Sequence, residues 1–230
     1  MKFIITHKDF DNPNIDKSKY VIVAPDTVKI TSSGWKDVLY FKDELDNRVW
    51  SEFPAMKFIS TLPLSITDTV EINHYRRIFK DDIDYYKGNV VSNAVMLNTD
   101  NRNFYGLFHN IDDLDKVTSI ISQVYPNYID KWLYTLNQKF IHPYNMVRFD
   151  SSVYKDYINF IWNIMKHCEY DYESLLKNIY IPNGCRNTDP KYQARVPSFI
   201  IERISNLYYN ILSGNSLIYV CEINKFDGAW

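Results

Sequence analysis

The sequence predicts an α/β fold, with a mainly parallel central sheet, flanking helices and a second half that is richer in helices. Two observations support this prediction: apolar residues make up 46% of the 230 residues, and short β-branched runs alternate with helical patterns. That apolar content can form a sizeable core, which excludes a disordered chain. We expect one domain over residues 1–230, strand-rich to about residue 100 and helix-rich from about 101 to 230.

Strands are the main predicted elements of the first half. Lys2 to Thr6 and Tyr20 to Ala24 are short apolar runs bounded by polar residues or proline, as is typical of buried strands. Thr69 to Asn73 forms a third strand, and Asn93 to Leu97 gives a weaker indication of a fourth. Between them, apolar residues at helical spacing predict a helix from Glu52 to Leu62.

Helices are the main predicted elements of the second half. The acids from Asp112 to Asp115 precede apolar residues at helical spacing, so we expect a helix capped by Asp112. Three more helices are predicted: one from Pro126 to about Asn137, one that begins after Ser151 or Ser152, and one from Pro197 to Gly214. Two strands are predicted as well, from Tyr144 to Phe149 and from Leu217 to Cys221.

Charge and composition argue against several classes of protein. A formal charge of −2 argues against a general nucleic-acid binder, and three widely spaced cysteines give no disulfide or zinc pattern. No apolar run reaches the roughly 18 residues of a membrane helix, so we expect the cytoplasm, or the host cytoplasm if the chain is viral. None of the six glycines lies in a phosphate-binding loop, so a phosphate site must use side chains or helix N-termini.

The segment from Val70 to Phe79 has the clearest chemical pattern. A buried strand there runs into His74, Tyr75, Arg76 and Arg77, which places polar groups at the carboxyl edge of the sheet, where open α/β folds bind ligands. A continued strand would place His74 and Arg76 on one side, and Tyr75 and Arg77 on the other. The planar guanidinium of arginine suits a diphosphate. The alternative is a surface turn whose arginines pair with nearby aspartates: Asp81, Asp82 or Asp84.

Paired aspartates are the candidate metal ligands. An Asp-x-Asp pair can hold Mg²⁺ or Mn²⁺ against substrate phosphates, and the chain has three such pairs. Asp113 and Asp115 are explained by helix capping. Asp82 and Asp84, shortly after the arginines, are the pair in a plausible place. The sequence therefore allows a divalent metal there but does not require one.

Two later segments place polar residues just before a strand and a helix. His142 and Asn145 precede the predicted strand, and Gln193 and Arg195 precede the last helix, where ligand contacts are common. Glu202 follows on that helix, and it could face Arg195 only if the helix began before Pro197. The alternative is that each of these residues is structural. No Ser-His-Asp or Cys-His pattern is present.

These segments, in this order, resemble the bacterial family called domain of unknown function 4422. Its members occur in capsule, exopolysaccharide and lipopolysaccharide gene clusters and are regarded as glycosyltransferases, some of them galactofuranosyltransferases. The matching stretches cover most of the chain: ITHK (Ile5 to Lys8), SEFPAMKFI (Ser51 to Ile59), INHYRRIF (Ile72 to Phe79), HNIDDLD (His109 to Asp115), HPYNMVRFDSSVYKDY (His142 to Tyr157) and YQARVPSFIIER (Tyr192 to Arg203).

The resemblance implies a GT-A-like fold that binds a nucleotide sugar, most simply a UDP-sugar, at the carboxyl edge of its sheet. It implies a nucleotide-binding first half and an acceptor-binding second half. Within the first half, it places Glu52 on the helix predicted from Glu52 to Leu62. It places donor-binding residues at Thr6, His7, Lys8, Tyr75, His142, Asn145, Gln193 and Arg195, and catalytic residues at His74, Arg76, Arg77 and Glu202, with Arg203 beside them.

The expected function is transfer of a hexose or galactofuranose from a nucleotide donor to a hydroxyl of a glycan or glycoconjugate, as in polysaccharide biosynthesis. Glu202 is the candidate base for an inverting reaction, with Asp84 as the second choice. The residues do not decide between inversion and retention. Two alternatives stay open: a non-catalytic module that binds nucleotides or glycans, and an enzyme acting on a single-stranded nucleic acid, which the net charge disfavours.

Overall fold

A computed structural model of the chain describes residues 1–42, 44–168, 170–185, 187–214 and 216–226, without the side chains of Asn47, Asp81 and Asp82. The strands β1 to β11 are, in order, Lys2–Ile5, Tyr20–Pro25, Asp37–Phe41, Thr69–His74, Arg77–Phe79, Asn89–Ser92, Val95–Met96, Phe140–Ile141, Val147–Asp150, Ile218–Cys221 and Ile223–Lys225. The helices α1 to α9 are Asn47–Trp50, Phe53–Thr61, Asn101–Gly106, Asp112–Val124, Ile129–Asn137, Ser151–Met165, Tyr172–Lys177, Pro190–Gln193 and Val196–Ser213.

The main sheet is mixed but mostly parallel, as the sequence predicts. Its strands lie in the order β10-β6-β9-β4-β1-β2-β3, and the short strands β5 and β11 extend it beyond β4. β9 runs antiparallel to both β4 and β6, whereas β1 is parallel to β2 and β4. The ends of β1, β2 and β4 therefore meet at one edge, called the carboxyl edge below, and β9 begins there.

Strand β1 is buried on both faces because helices and loops cover the sheet on its two sides. Phe3 and Ile5 join the larger core with residues of α2, α6 and α9. Ile4 and Ile22 join a smaller core on the opposite face. This alternation is the two-residue period of a strand, and it explains why β1 reads as a continuous apolar run in the sequence.

The chain reverses immediately after β4, so one prediction for this segment is wrong. Tyr75 and Arg76 form a two-residue turn, and His74 pairs with Arg77 across the resulting hairpin. The backbone N–H of Arg76 donates to Nδ1 of His74 at 3.2 Å, and that of Tyr75 donates to the carbonyl of Ile5 at 3.1 Å. These bonds favour a turn over a continued strand, so the predicted alternation of side chains between two sides does not occur.

Most other predicted elements are confirmed, with shifts at their ends. Helix α4 begins at Asp112, but residue Ile111 occupies the N-cap position and no side chain caps the helix. The strand expected from Tyr144 begins only at Val147, because Tyr144 and Asn145 have positive φ angles. The strand expected at Asn93 to Leu97 is shorter than predicted, since β7 covers Val95–Met96 and the preceding strand β6 ends at Ser92. The elements that were not predicted are strands β3, β5, β6, β8 and β11 and helices α1, α3, α7 and α8.

Candidate functional site

A cleft of about 680 Å³ opens at the carboxyl edge of the sheet. It lies where α2 begins, where β4 turns into β5, where the loop before β9 passes, and where α9 begins. Its lining combines charged and aromatic side chains: Glu52, His74, Arg76, Arg77, Phe108, Tyr144, Asn187, Tyr192, Arg195, Ser198, Phe199 and Glu202. The structure thus brings together all four predicted catalytic residues and one predicted binding residue, Arg195.

Three arginines give the cleft its positive charge. Arg76 and Arg77 come from the turn after β4, and Arg195 is the N-cap residue of α9. The guanidinium of Arg77 is largely buried and lies 4.0 Å above the ring of Tyr144, a cation–π contact that fixes its direction. Guanidinium groups held in this way can bind an anion such as a diphosphate without a glycine loop.

The loop before β9 holds Tyr144 in place at the expense of backbone strain. Tyr144 and Asn145 have φ angles of 76° and 52°, in the region that residues other than glycine seldom occupy. The N–H of Tyr144 donates to Oε1 of Glu202 at 3.1 Å, and the amide oxygen of Asn145 accepts from the hydroxyl of Ser205 at 2.9 Å. Strained residues of this kind persist where their surroundings over-determine them, often at functional sites.

Glu202 is a carboxylate of the cleft whose pKa is raised. The main cause is burial on α9, while the contact with Arg203 at 3.3 Å and the N–H of Tyr144 oppose the rise, and the charge of Glu52 adds to it. Helix α9 begins at Val196, before Pro197, so Arg195 and Glu202 do line the same cleft. A carboxylate with a raised pKa is a better proton acceptor near neutral pH than an exposed one.

Glu52 and His74 form a pair at the base of the cleft. Nε2 of His74 lies 3.3 Å from Oε1 of Glu52. Burial lowers the pKa of His74 to about 4, because the attraction of Glu52 does not outweigh burial and the neighbouring arginines. Burial acts to raise the pKa of Glu52, but His74, Arg195 and His7 outweigh it and lower that pKa to about 2. At neutral pH the pair is therefore a carboxylate and a neutral imidazole.

Aromatic rings from the segment after α3, from α8 and from α9 form part of the wall of the cleft. This aromatic wall consists of Phe108, Tyr192 and Phe199. The ring of Phe199 stacks on buried His109 at 4.2 Å and lies 4.9 Å from Tyr192. His109 in turn contacts the amide oxygen of Gln193 at 3.1 Å. Partly exposed, rigidly supported rings of this kind offer an apolar surface within an otherwise charged cleft.

A second cavity of about 470 Å³ adjoins the cleft. Its lining comes from the loop after β1, the β4–β5 turn and the end of the described chain: Lys8, Phe10, Asp11, Asn12, Pro13, Asn14, Tyr75, Arg76, Lys225 and Phe226. The rings of Phe10 and Tyr75 lie 5.8 Å apart, and the ammonium group of Lys8 lies 5.1 Å from the centre of the Tyr75 ring. Arg76 lines both cavities and so connects them.

Four predicted binding residues support the site from outside the cavities. His142 contacts the carbonyl of Ser92 through Nδ1 at 2.6 Å, and Asn145 bonds to Ser205, so both hold the loop of Tyr144. Gln193 donates to the carbonyl of Asn187 at 2.7 Å and supports His109. Thr6 is fully buried and closes a turn with Lys8. Their side chains are thus engaged by the protein itself. His7 lies close enough to Glu52 to influence its charge.

Asp84, one of the two predicted metal ligands, lies away from the cleft. The side chain of Asp82 lies outside the described part of the chain. Asp84 is exposed and pairs with Lys2 at 3.0 Å and Arg148 at 3.5 Å. Lys2 begins strand β1, so Asp84 lies at the edge of the sheet opposite the cleft. Within the described residues, no three His, Cys, Asp or Glu side chains form a group that could hold a metal ion.

Several residues of the two cavities are not predicted by the sequence. Tyr144 has no motif signal, because its position depends on positive φ angles at two residues that are not glycine. The aromatic wall and Phe10 are hidden among 19 tyrosines and 13 phenylalanines. Glu52 was indicated only by the family resemblance, and no pattern in its own segment pointed to it.

Comparison with known proteins places this architecture in a family. The model of the family described as a domain of unknown function, DUF4422, matches residues 84–213, which is more than half of the chain. The chain belongs to the DUF4422 family. The match includes Tyr144, Arg195, Glu202 and the aromatic wall, and it begins after the His74–Arg77 turn. No curated protein sequence matches the chain.

Among solved structures, this DUF4422 protein is similar to the apo structure of WbbM, a bifunctional glycosyltransferase. The similarity has a TM-score of 0.67 at 15% sequence identity, and it covers 99% of this chain and 45% of WbbM. The chain therefore spans less than half the length of that protein. At this identity the similarity establishes a shared fold. Within the described residues, no helix combines the length and apolar character needed to cross a membrane.

Proposed function

We propose that this protein is a glycosyltransferase of GT-A type, which moves a hexose or galactofuranose from a nucleotide sugar to a hydroxyl of a glycan acceptor. The single observation that carries the proposal is the position of Arg76, which lines both the cleft and the second cavity. A nucleotide sugar has an anionic diphosphate between two neutral groups. Two cavities joined at an arginine match that order of charge.

In this proposal the nucleoside lies in the second cavity. Phe10 and Tyr75 provide faces on which a base can stack, and Lys8 and Lys225 add positive charge at the rim. A UDP-sugar is the donor we expect. The diphosphate lies against Arg76 and Arg77, whose charge stabilises it as the leaving group. In this mechanism the two arginines take the role of a divalent ion, because they lie at the strand end where an Asp-x-Asp motif would otherwise hold one.

The donor sugar and the acceptor share the cleft. The aromatic wall is the surface on which we place the acceptor glycan, because the C–H face of a sugar ring packs well on aromatic side chains. Glu202 is then the base that takes the proton of the acceptor hydroxyl as the new glycosidic bond forms. The membership in DUF4422 and the fold similarity to WbbM support this reading, together with the cleft itself.

Nucleotide-sugar binding followed by donor hydrolysis tests the proposal. We expect UDP and at least one of UDP-glucose, UDP-galactose and UDP-galactofuranose to raise the melting temperature, because a ligand that binds the native state stabilises it. Slow release of free sugar from that donor should follow. Binding of UDP without sugar release or transfer to any glycan would instead identify a non-catalytic nucleotide-binding module. Adenosine and GDP-mannose serve as controls for the nucleotide.

A further inference from the structure

Glu52 is a buried carboxylate that the roles given to the arginines and Glu202 leave unused. It lines the cleft, and 17% of its side chain is exposed there. It is the N-cap residue of α2, but its side chain makes no capping hydrogen bond. The carboxylate therefore does not cap the helix, and it is available to a ligand in the cleft.

The backbone before Glu52 is strained in a way that presents its side chain to the cleft. Ser51 has a φ angle of 54°, although it is not glycine. Its hydroxyl accepts a hydrogen bond of 2.5 Å from Nη2 of Arg195, a residue of the same cleft. The strained residue is thus tied directly to the site, as strained residues at functional sites commonly are.

His74 and Ser51 both contact the Glu52 carboxylate. Nδ1 of His74 accepts the backbone N–H of Arg76, so the proton of the neutral ring is on Nε2. Nε2, which carries that proton, lies 3.3 Å from Oε1 of Glu52. The side chain of Ser51 is also hydrogen-bonded to this carboxylate, and together these contacts keep it negatively charged where it lines the cleft.

The two carboxylates of the cleft differ in the direction of their pKa shifts. The pKa of Glu52 is held at about 2 despite burial, by its contact with His74 and the nearby Arg195 and His7. Burial raises the pKa of Glu202, against the effect of Arg203. Paired carboxylates whose environments separate their pKa values commonly have different tasks, one as a fixed charge and the other in proton transfer.

We propose that Glu52 is a second catalytic residue, whose negative charge stabilises the positive charge that develops on the donor sugar in the transition state. The inference rests on the proposed function. The bond from the anomeric carbon to the diphosphate breaks, and its electron pair leaves with the diphosphate toward Arg76 and Arg77. The acceptor oxygen forms the new bond to that carbon, and its proton passes to Glu202. Glu52 forms no covalent bond and exchanges no proton.

Replacing Glu52 by glutamine, which keeps its volume, separates this role from binding. With whichever UDP-sugar the wild type turns over, we expect Glu52→Gln to lower kcat by 100-fold or more. The Kd for UDP, measured by titration calorimetry, should stay within threefold or tighten, because a negative charge near the arginines is removed. Glu44→Gln, an exposed position just before α1, is the matched control and should retain wild-type kcat and Kd.

A second readout reports on the coupling of the two carboxylates. Because the charge of Glu52 helps to raise the pKa of Glu202, the acid limb of the pH–rate profile should move to lower pH in Glu52→Gln. A kcat within threefold of wild type, a loss of UDP affinity that matches the loss of kcat, or an acid limb that stays in place would overturn the inference. If the wild type releases sugar from no donor, the proposed function fails and the inference fails with it.

Discussion

The two edges of the central sheet carry the same kinds of charged residue in different surroundings. At the carboxyl edge, His74 and Arg77 are 4% and 7% exposed, and the charged groups surround a cleft. At the opposite edge, the side chain of Asp84 is 61% exposed and lies between Lys2 and Arg148. The groups at the first edge are shielded from water and depend on their protein partners, whereas the charges at the second edge are largely solvated.

This difference explains why the two edges should respond differently to mutation. Removing a buried group leaves its partner without compensation, which is costly in a medium of low dielectric constant. Removing one member of an exposed ion pair changes stability by at most about 1 kcal/mol. The carboxyl edge is therefore the place where single substitutions should alter binding and catalysis.

Among substitutions at the two edges, we expect the largest effect on kcat from replacing Glu202. We expect Glu202→Gln to lower kcat by about 10²- to 10⁴-fold, the usual contribution of a general base. UDP binding should be retained, since Glu202 faces the acceptor in the proposed mechanism. Steady-state kinetics and calorimetry measure the two quantities, with exposed Glu173→Gln on α7 as control. Retention of full activity would remove Glu202 from the reaction.

The next largest effect is on diphosphate binding by the arginines. We expect Arg76→Ala and Arg77→Ala to weaken UDP binding by about 1.5–3 kcal/mol, the value of a charge-assisted hydrogen bond, with little effect on uridine. Lysine at either position should rescue poorly, because it lacks the planar fork. Arg102→Ala, which removes an exposed pair with Asp115, is the control. Equal weakening for uridine and UDP would contradict the assignment of the diphosphate to this turn.

Buried histidines on this side of the molecule should make stability depend on pH. Burial, with a contribution from Arg203, lowers the pKa of His109 to about 3, so the folded state keeps this ring neutral while the unfolded chain protonates it near pH 6.5. Stability is therefore full above about pH 6.5 and falls as the pH decreases toward 3. The loss from this one group between pH 7 and pH 5 is about 2 kcal/mol.

Urea denaturation at several pH values measures this dependence. His109→Asn, which keeps a donor toward Gln193, should reduce the slope of stability against pH even where it lowers stability at pH 7. His167→Gln changes an exposed histidine and should leave the slope as it is. An unchanged slope in His109→Asn would show that His109 is not the group responsible.

The sequence predicts the framework of the carboxyl edge better than its interior. The strand into His74 and the helix containing Glu202 are readable because apolar periodicity and proline positions reflect local physics. The sharp turn at Tyr75 and Arg76, the positive φ angles at Tyr144 and the second cavity depend on contacts between distant segments. Asp84 shows the same limit, because proximity in sequence to the arginines does not reveal that the chain crosses to the opposite edge.

The smallest expected effect concerns Asp84 and divalent metal. Asp84 contacts Lys2 and Arg148 at the edge opposite the cleft, and the two cations of the β4–β5 turn supply charge where a metal would otherwise act. We therefore expect Asp84→Asn, and the double variant with Asp82→Asn, to leave activity within about tenfold, or 1.4 kcal/mol of barrier. Donor binding should persist in EDTA, as thermal shift with UDP measures. If a chelator abolished activity and Mn²⁺ restored it, the arginines would not suffice for the leaving group. The carboxyl edge would then have to contain a metal ligand in addition to the arginines.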